Sequence, residues 1–288
     1  MITTILGGLS LGAVYALVAV GYNIVFIASG ILNFAQAQFL MMGAFLSLGA
    51  ARVLDVPLPV AVVGAAVAGG LIGGFEEVAA IRRLLGRGTH GELITTLGFA
   101  TVLSGFALLV YGSDAQSVPY LGNLGSVTLA GGRAQWVDVI LVVVAVTLTA
   151  VVGLVTRRSM LGLASLATSE DRQAAQLRGV SVGWMSFGAF VLAGGLLAAV
   201  GPLVGAKTQA SYSLGDDLAV KAFVALVIGG FGSYLGALLG GFVVGLLELF
   251  AIRYVGFEWS NLLVFVLLLL VLLVLPRGLF GRTRERVV

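Results

Sequence analysis

Three amide side chains, Asn33, Gln36 and Gln38, crowd into one short stretch of a chain whose composition is otherwise close to hydrocarbon. An amide offers donors and acceptors without carrying charge. That chemistry suits a polar solute passing through, or hydrogen bonds between helices, and supplies neither a nucleophile nor a general acid. Lys221, close behind Asp216 and Asp217, either lines the mouth of a path or closes a plain salt bridge. Asn23 and Glu248 are isolated polar residues in apolar runs, read chiefly as interhelical bonding partners. Glu76 and Glu77 stand at the end of an apolar run and read as solvated. Polar groups at membrane depth are costly and turn toward a cavity or the bundle interior.

Catalytic motifs fail on inspection. GLSLG at Gly8–Gly12 has the G-x-S-x-G spacing but no strand–turn–helix context. The only histidine, His90, is expected on the opposite membrane face. GPLVGAKT at Gly201–Thr208 has the wrong spacing for a phosphate-binding loop. Cysteine is absent and no second histidine exists, so neither a disulfide framework nor a metal site is expected, and no cofactor. No basic, aromatic-studded stretch supports a nucleic-acid partner. ATP hydrolysis, if the chain depends on it, must occur on another subunit.

The elements that position these residues are membrane spans. Hydrophobic residues make up 59% and charged residues 10% of the chain, with a mean hydropathy of +1.11; a typical soluble domain carries roughly 25% charged residues. About 20 mostly apolar residues cross roughly 30 Å of hydrocarbon. Runs of this kind are Ile2–Ile27, Ile31–Ala51, Val56–Phe75, Leu93–Tyr111, Val137–Thr156, Trp184–Val204, Leu235–Ile252 and Leu262–Leu275. Leu218–Phe231 is shorter and either re-entrant or a short span. The expected fold is therefore an all-α polytopic membrane protein, one transmembrane domain over 1–288, with eight spans plus this segment. The N-terminus lacks the basic region of a signal peptide and reads as the first span. A break at Ser29–Gly30 separates spans one and two, and broken helices expose backbone groups that can bind a polar ligand.

Lys and Arg positions set the orientation. Arg82, Arg83, Arg87, Arg157, Arg158, Arg172, Arg178, Arg277, Arg282, Arg284 and Arg286 share one side if the short segment crosses. Arg52, Arg133, Lys207 and Arg253 take the other. This places the C-terminus and the basic tail 276–288 in the cytoplasm, the N-terminus outside, and the loop 112–134 outside, with VTLAGGRAQW forming a small hairpin around its Gly pair.

Gly232, Gly236 and Gly240 recur at four-residue spacing, and Gly241 and Gly245 repeat it. In lipid, small residues one turn apart let helix backbones approach closely, so this ridge is expected to pack helices within the subunit or against a partner.

In the cytoplasmic loop 157–182, ATSEDRQAAQLRGVS reads as a short capped helix. Thr168 and Asp171 match a capping box, Glu170 and Asp171 put negative charge at the first turn, and Gly179 follows as a terminator. Arg178 suits its last turn. The helix is either a solvated interfacial element or one that docks in a partner's cleft through its Ala174–Ala175 face, with Glu170, Asp171 and Arg172 at the rim.

These residues carry a resemblance. QAA followed by Gly179 is similar to the coupling loop of ABC importer permeases, and LNFAQAQFLMMGAF from Leu32 resembles the signature of branched-chain amino acid permeases of the LivH type. ELITTLGFATVL, SEDRQAAQLRGVSV, KAFVALVIGGFGSYLGALLGG and PRGLFG extend the likeness over nearly the whole chain. The wider group includes sugar ABC permeases. The resemblance implies a permease subunit in a bacterial inner membrane, a second homologous permease, two ATPase subunits and an external substrate-binding protein. Where the family usually has Gly-Glu, this chain has Ala37 and Gln38, an amide in place of a charge. A secondary transporter or channel for a small polar solute is the alternative, and an intramembrane enzyme a third. A coupled carrier would call for embedded carboxylates or matching broken helices in two repeats. Only Glu248 is well embedded, no internal repeat is evident, and neither alternative gives the capped helix a task.

Overall fold

The computed structural model describes residues 1–82, 91–121, 125–129, 131–275 and 278–281. Arg83, Arg87, His90 and most of the basic tail, including Arg277, Arg282, Arg284 and Arg286, lie outside the described residues. The order is α1 (Ile2–Ser29), α2 (Gln36–Val53), α3 (Leu58–Glu76, continued by one π-helical turn Glu77–Ile81), α4 (Gly91–Tyr111), β1 (Ser126–Leu129), β2 (Gly132–Gln135), α5 (Trp136–Arg158), α6 (Met160–Glu170), α7 (Arg172–Leu177), α8 (Val182–Thr208), α9 (Leu214–Gly229), α10 (Tyr234–Tyr254) and α11 (Phe257–Val274).

Seven of these helices are long and apolar enough to cross a membrane: α1, α3 with its π turn, α4, α5, α8, α10 and α11. The protein is an all-α polytopic membrane protein. Of the eight expected spans the second, Ile31–Ala51, is not among these seven: its helix α2 starts only at Gln36, because residues 30–35 form a break, and Gln36, Gln38 and Arg52 lower its hydropathy. Gly30 ends α1 at φ +72° and donates to Phe26 O, while Asn33 Oδ1 accepts from Ala35 N at 2.9 Å. The short segment expected at Leu218–Phe231 is α9, only 16 residues long.

The bundle is layered. Of the apolar stretch of α1, 89% is buried in protein, against 11% for α11. In α2 every residue from Gln36 to Phe45 is buried. Its amides are tolerated because protein, rather than lipid, surrounds them. α4, α5 and α11 turn Leu97, Leu109, Val143, Leu269 and Leu273 outward, as lipid-facing helices do.

Glycine sets the closest approaches. A Cβ on Gly236 would overlap the Gly229 carbonyl, and one on Gly240 the Ala225 carbonyl, so α10 lies backbone-to-backbone on α9. Gly241 and Gly245 do the same against Ala16 and Gly12 of α1. The ridge thus packs within the subunit. Gly232 is not part of it: it precedes α10, sits in open space at φ +81°, and donates its N–H to Asn23 Oδ1 at 2.8 Å. The four-residue spacing carries on through a turn that ends the helix geometry. Pro202 interrupts α8, and its missing N–H frees the Ala198 carbonyl; Gly43 of α2 lies against that carbonyl, where any side chain would clash.

The expected hairpin forms, with Leu129 opposite Gly132 in antiparallel register. It sits on the first turn of α1, where Arg133 N donates to Thr3 Oγ1 at 3.3 Å. At the far end of α9, Leu279 N and Phe280 N donate to the Ile228 and Gly229 carbonyls at 2.8 and 3.0 Å. Leu279 and Phe280 thereby satisfy carbonyls that the helix end leaves free.

Candidate functional site

Asn33 and Gln36 meet in the interior, together with Glu76, a residue expected to be solvated. Asn33 Nδ2 donates to Glu76 Oε2 at 2.7 Å and to Gln36 Oε1 at 3.2 Å. All three side chains have no solvent exposure. Gln36 Nε2 and Glu76 Oε1 find no hydrogen-bond partner. The expectation that Glu76 and Glu77 are solvated fails. Both are wholly buried, Glu77 with Arg82 Nη2 at 2.9 Å from its carboxylate. The apolar run suggested a helix ending in water; instead α3 continues for one π turn, and the bundle closes over its acidic residues. π-helical turns are frequent at functional sites.

Gln38 belongs to a different set. Its Nε2 donates to Asp216 Oδ1 at 2.6 Å, and Ser104 Oγ of α4 lies 3.5 Å from the other carboxylate oxygen. The first turn of α9 is thereby joined to α2 and α4. Gln38 Oε1 is buried without a partner. It lies where a side chain on Gly215 would have to be, so only glycine fits beside it.

Lys221 does not join the amides. Its Nζ donates to Glu248 Oε1 at 2.5 Å, and Tyr15 Oη donates to Glu248 Oε2 at 2.5 Å. Of the two readings open for Lys221, the salt bridge describes its contacts. Each carboxylate oxygen of Glu248 has a donor, as a buried charge requires. Asn23 is likewise structural, holding the α9–α10 turn through Gly232 N and the Ser233 carbonyl.

The loop helix begins later than its capping-box pattern indicated. Thr168 lies in the last turn of α6, buried, with its hydroxyl donating to Ala28 O at 3.2 Å and Ser165 O at 2.7 Å. Asp171 alone caps α7, accepting from Gln173 N and Ala174 N at 2.9 Å each. Glu170 closes α6, and Arg172 opens α7. Gly179 terminates the turn at φ +88°, as expected. The Ala174–Ala175 face is split: Ala175 is buried in its own chain, while Ala174 is exposed and Leu177 is 90% exposed. The expected box made Thr168 the cap and Asp171 its partner; instead α6, capped by Ser159 at Gly162 N, runs through Thr168, and Asp171 takes the cap.

These features define a permease: a lipid-embedded bundle with partly bonded polar groups at its centre and a capped helix outside its spans. A family profile described as "Branched-chain amino acid transport system / permease component" matches residues 4–272, and the chain belongs to that family. It is the permease subunit of an ABC-type importer. It is 31% identical to the high-affinity branched-chain amino acid transport system permease protein BraD of Pseudomonas aeruginosa, over 96% of this chain and 95% of that one. Against the corresponding LivH protein of Escherichia coli the identity is 30%, over 96% and 94%. A fructose import permease protein, FrcC of Rhizobium meliloti, is 32% identical over 45% of this chain and 38% of its own. Among solved structures, PsaBC from Streptococcus pneumoniae in complex with Fab aligns with a TM-score of 0.50 at 15% identity, covering 94% and 91%, a likeness of fold.

Proposed function

We propose that this permease moves a branched-chain or related amino acid across the bacterial cytoplasmic membrane by ATP-driven alternating access. An external binding protein delivers the substrate, a second homologous permease supplies the other wall of the path, and two ATPase subunits supply the energy. The C-terminus and the loop 157–182 face the cytoplasm, and the N-terminus and loop 112–134 face outside. Asn33, Gln36 and Gln38 are the substrate-path residues. The names of the relatives support the substrate class, and the arginine distribution supports the orientation.

The observation that carries the reading is α7. A helix of six residues is too short to be stable alone, yet this one is capped at both ends and anchored by the buried Ala175, and the preceding α6 is tied to α1 through Thr168. It presents Ala174 and Leu177 outward, with Glu170, Asp171 and Arg172 beside them. Those residues seat in an ATPase groove, so that closure of the ATPase pair moves α6, α7 and the attached spans together.

Leu177→Asp tests this, because Leu177 lies outside the spans and touches little of its own chain. The variant is expected to insert and purify normally but to lose the co-purifying ATPase and substrate-stimulated ATP hydrolysis in liposomes. Wild-type values for both would remove α7 from the coupling path.

A further inference from the structure

Position 38 carries an amide, and the fold brings a carboxylate to it from another helix. Asp216 opens α9 and points an oxygen at Gln38 Nε2, 2.6 Å away. Its other oxygen has only a long contact, 3.5 Å, with Ser104 Oγ. No ion pair to Asp216 or Asp217 exists among the described residues, because the nearby Lys221 is held by Glu248. The adjacent Gln38 Oε1 is an acceptor with no solvent exposure and no partner, fixed against Gly215, the residue before Asp216. Asp216 itself is exposed and borders a small cavity of about 150 Å³ that Asp217, Lys221 and Asn261 also line, the Lys221 ammonium being taken up by Glu248. An unpaired carboxylate, a buried acceptor without a donor and a hydroxyl thus converge where three helices meet. Every underused group in this set accepts a hydrogen bond, and the one missing component is a cationic donor.

We infer that Asp216, Gln38 Oε1 and Ser104 form a subsite for the ammonium group of the transported solute, with Asp216 supplying the charge and Gln38 holding it in place. An ammonium group carries three donors and a positive charge, which suits an acceptor-only carboxylate beside an amide oxygen. The inference rests on the amino acid import proposed above.

The test uses the complete transporter in proteoliposomes, with saturating binding protein and labelled leucine. Asp216→Asn keeps an amide that can still bond to Gln38 but removes the charge. It is expected to lower the uptake rate at least tenfold while leaving thermal unfolding in detergent unchanged. Moving the carboxylate across, in the double variant Gln38→Glu with Asp216→Asn, is expected to restore uptake to within about threefold of wild type. Near-normal uptake by Asp216→Asn would overturn the subsite. So would a failure of the double variant to recover, or a destabilised Asp216→Asn, since either assigns the carboxylate to structure alone. If the wild-type transporter takes up no leucine, it is the import reading that fails, a result distinct from each of these.

Discussion

Where α10 meets α9 and α1, glycines bring main chains into contact, and the few polar side chains there, Asn23, Tyr15, Lys221 and Glu248, are satisfied. Where α2 meets α3 and α9, the interior is just as inaccessible, yet Gln36, Gln38 and Glu76 each keep a polar atom without a partner. Burial is the same in the two regions; hydrogen-bond completion is not. An unsatisfied buried polar atom costs about 1–3 kcal/mol, so a seam that exists only to hold helices together has reason to shed such atoms, as the glycine seam does. The α2 junction keeps them, which is what a region that must later bond to a solute, or to water accompanying it, requires.

The largest effect should come from filling the glycine seam. Gly236→Leu places a side chain inside the α9 backbone, and the variant should yield no monodisperse protein in detergent. Normal purification would show that the seam can open. Next is the buried ion pair. Lys221→Met strands Glu248 in the interior, and removing one partner of a buried pair costs about 3–5 kcal/mol. Thermal unfolding should show this loss, and Lys221→Met combined with Glu248→Leu should recover most of it; equal loss in both variants would mean that the pair is not coupled.

Smaller effects separate the two regions. Asn33→Ala removes the donor to Glu76 and should destabilise by about 1–3 kcal/mol, with transport falling further than stability alone explains. Uptake that simply tracks the amount of folded protein would make this cluster structural. Gly232→Ala should cost about 1–2 kcal/mol, through its left-handed backbone and not through packing. At the bottom of the scale, Ser186→Ala removes a buried hydroxyl without a partner and should be neutral or slightly stabilising by unfolding temperature. A clear destabilisation there would point to a bound water.

Much of this was legible in the chain. Apolar run length located seven of the eight expected spans, the arginine pattern suggested an orientation, and the Gly pair marked the hairpin. What spacing could not convey was where a helix stops. Gly232 keeps the four-residue period of Gly236 and Gly240 but lies in a turn, and Thr168, expected to cap the loop helix, lies inside α6 while Asp171 caps α7. Nor could spacing show which polar residues meet. Asn33 and Gln36 join Glu76 from α3, Gln38 joins Asp216 from α9, and Ala175, expected on the docking face, is covered by its own chain. Those outcomes depend on tertiary packing. Two acidic residues closing a run that contains Gly73 and Gly74 are the one local hint that Glu76 sits against another helix.

The central claim is that transport through this bundle is powered by ATP on partner subunits and transmitted through α7. The most direct measurement is leucine uptake into liposomes holding this chain, its second permease, the ATPase subunits and the external binding protein, with and without internal ATP. Accumulation should require both ATP and the binding protein, and should disappear with Leu177→Asp. Leucine movement by this chain alone, down its gradient or coupled to an ion and indifferent to ATP, would contradict it and make the protein a secondary transporter or channel.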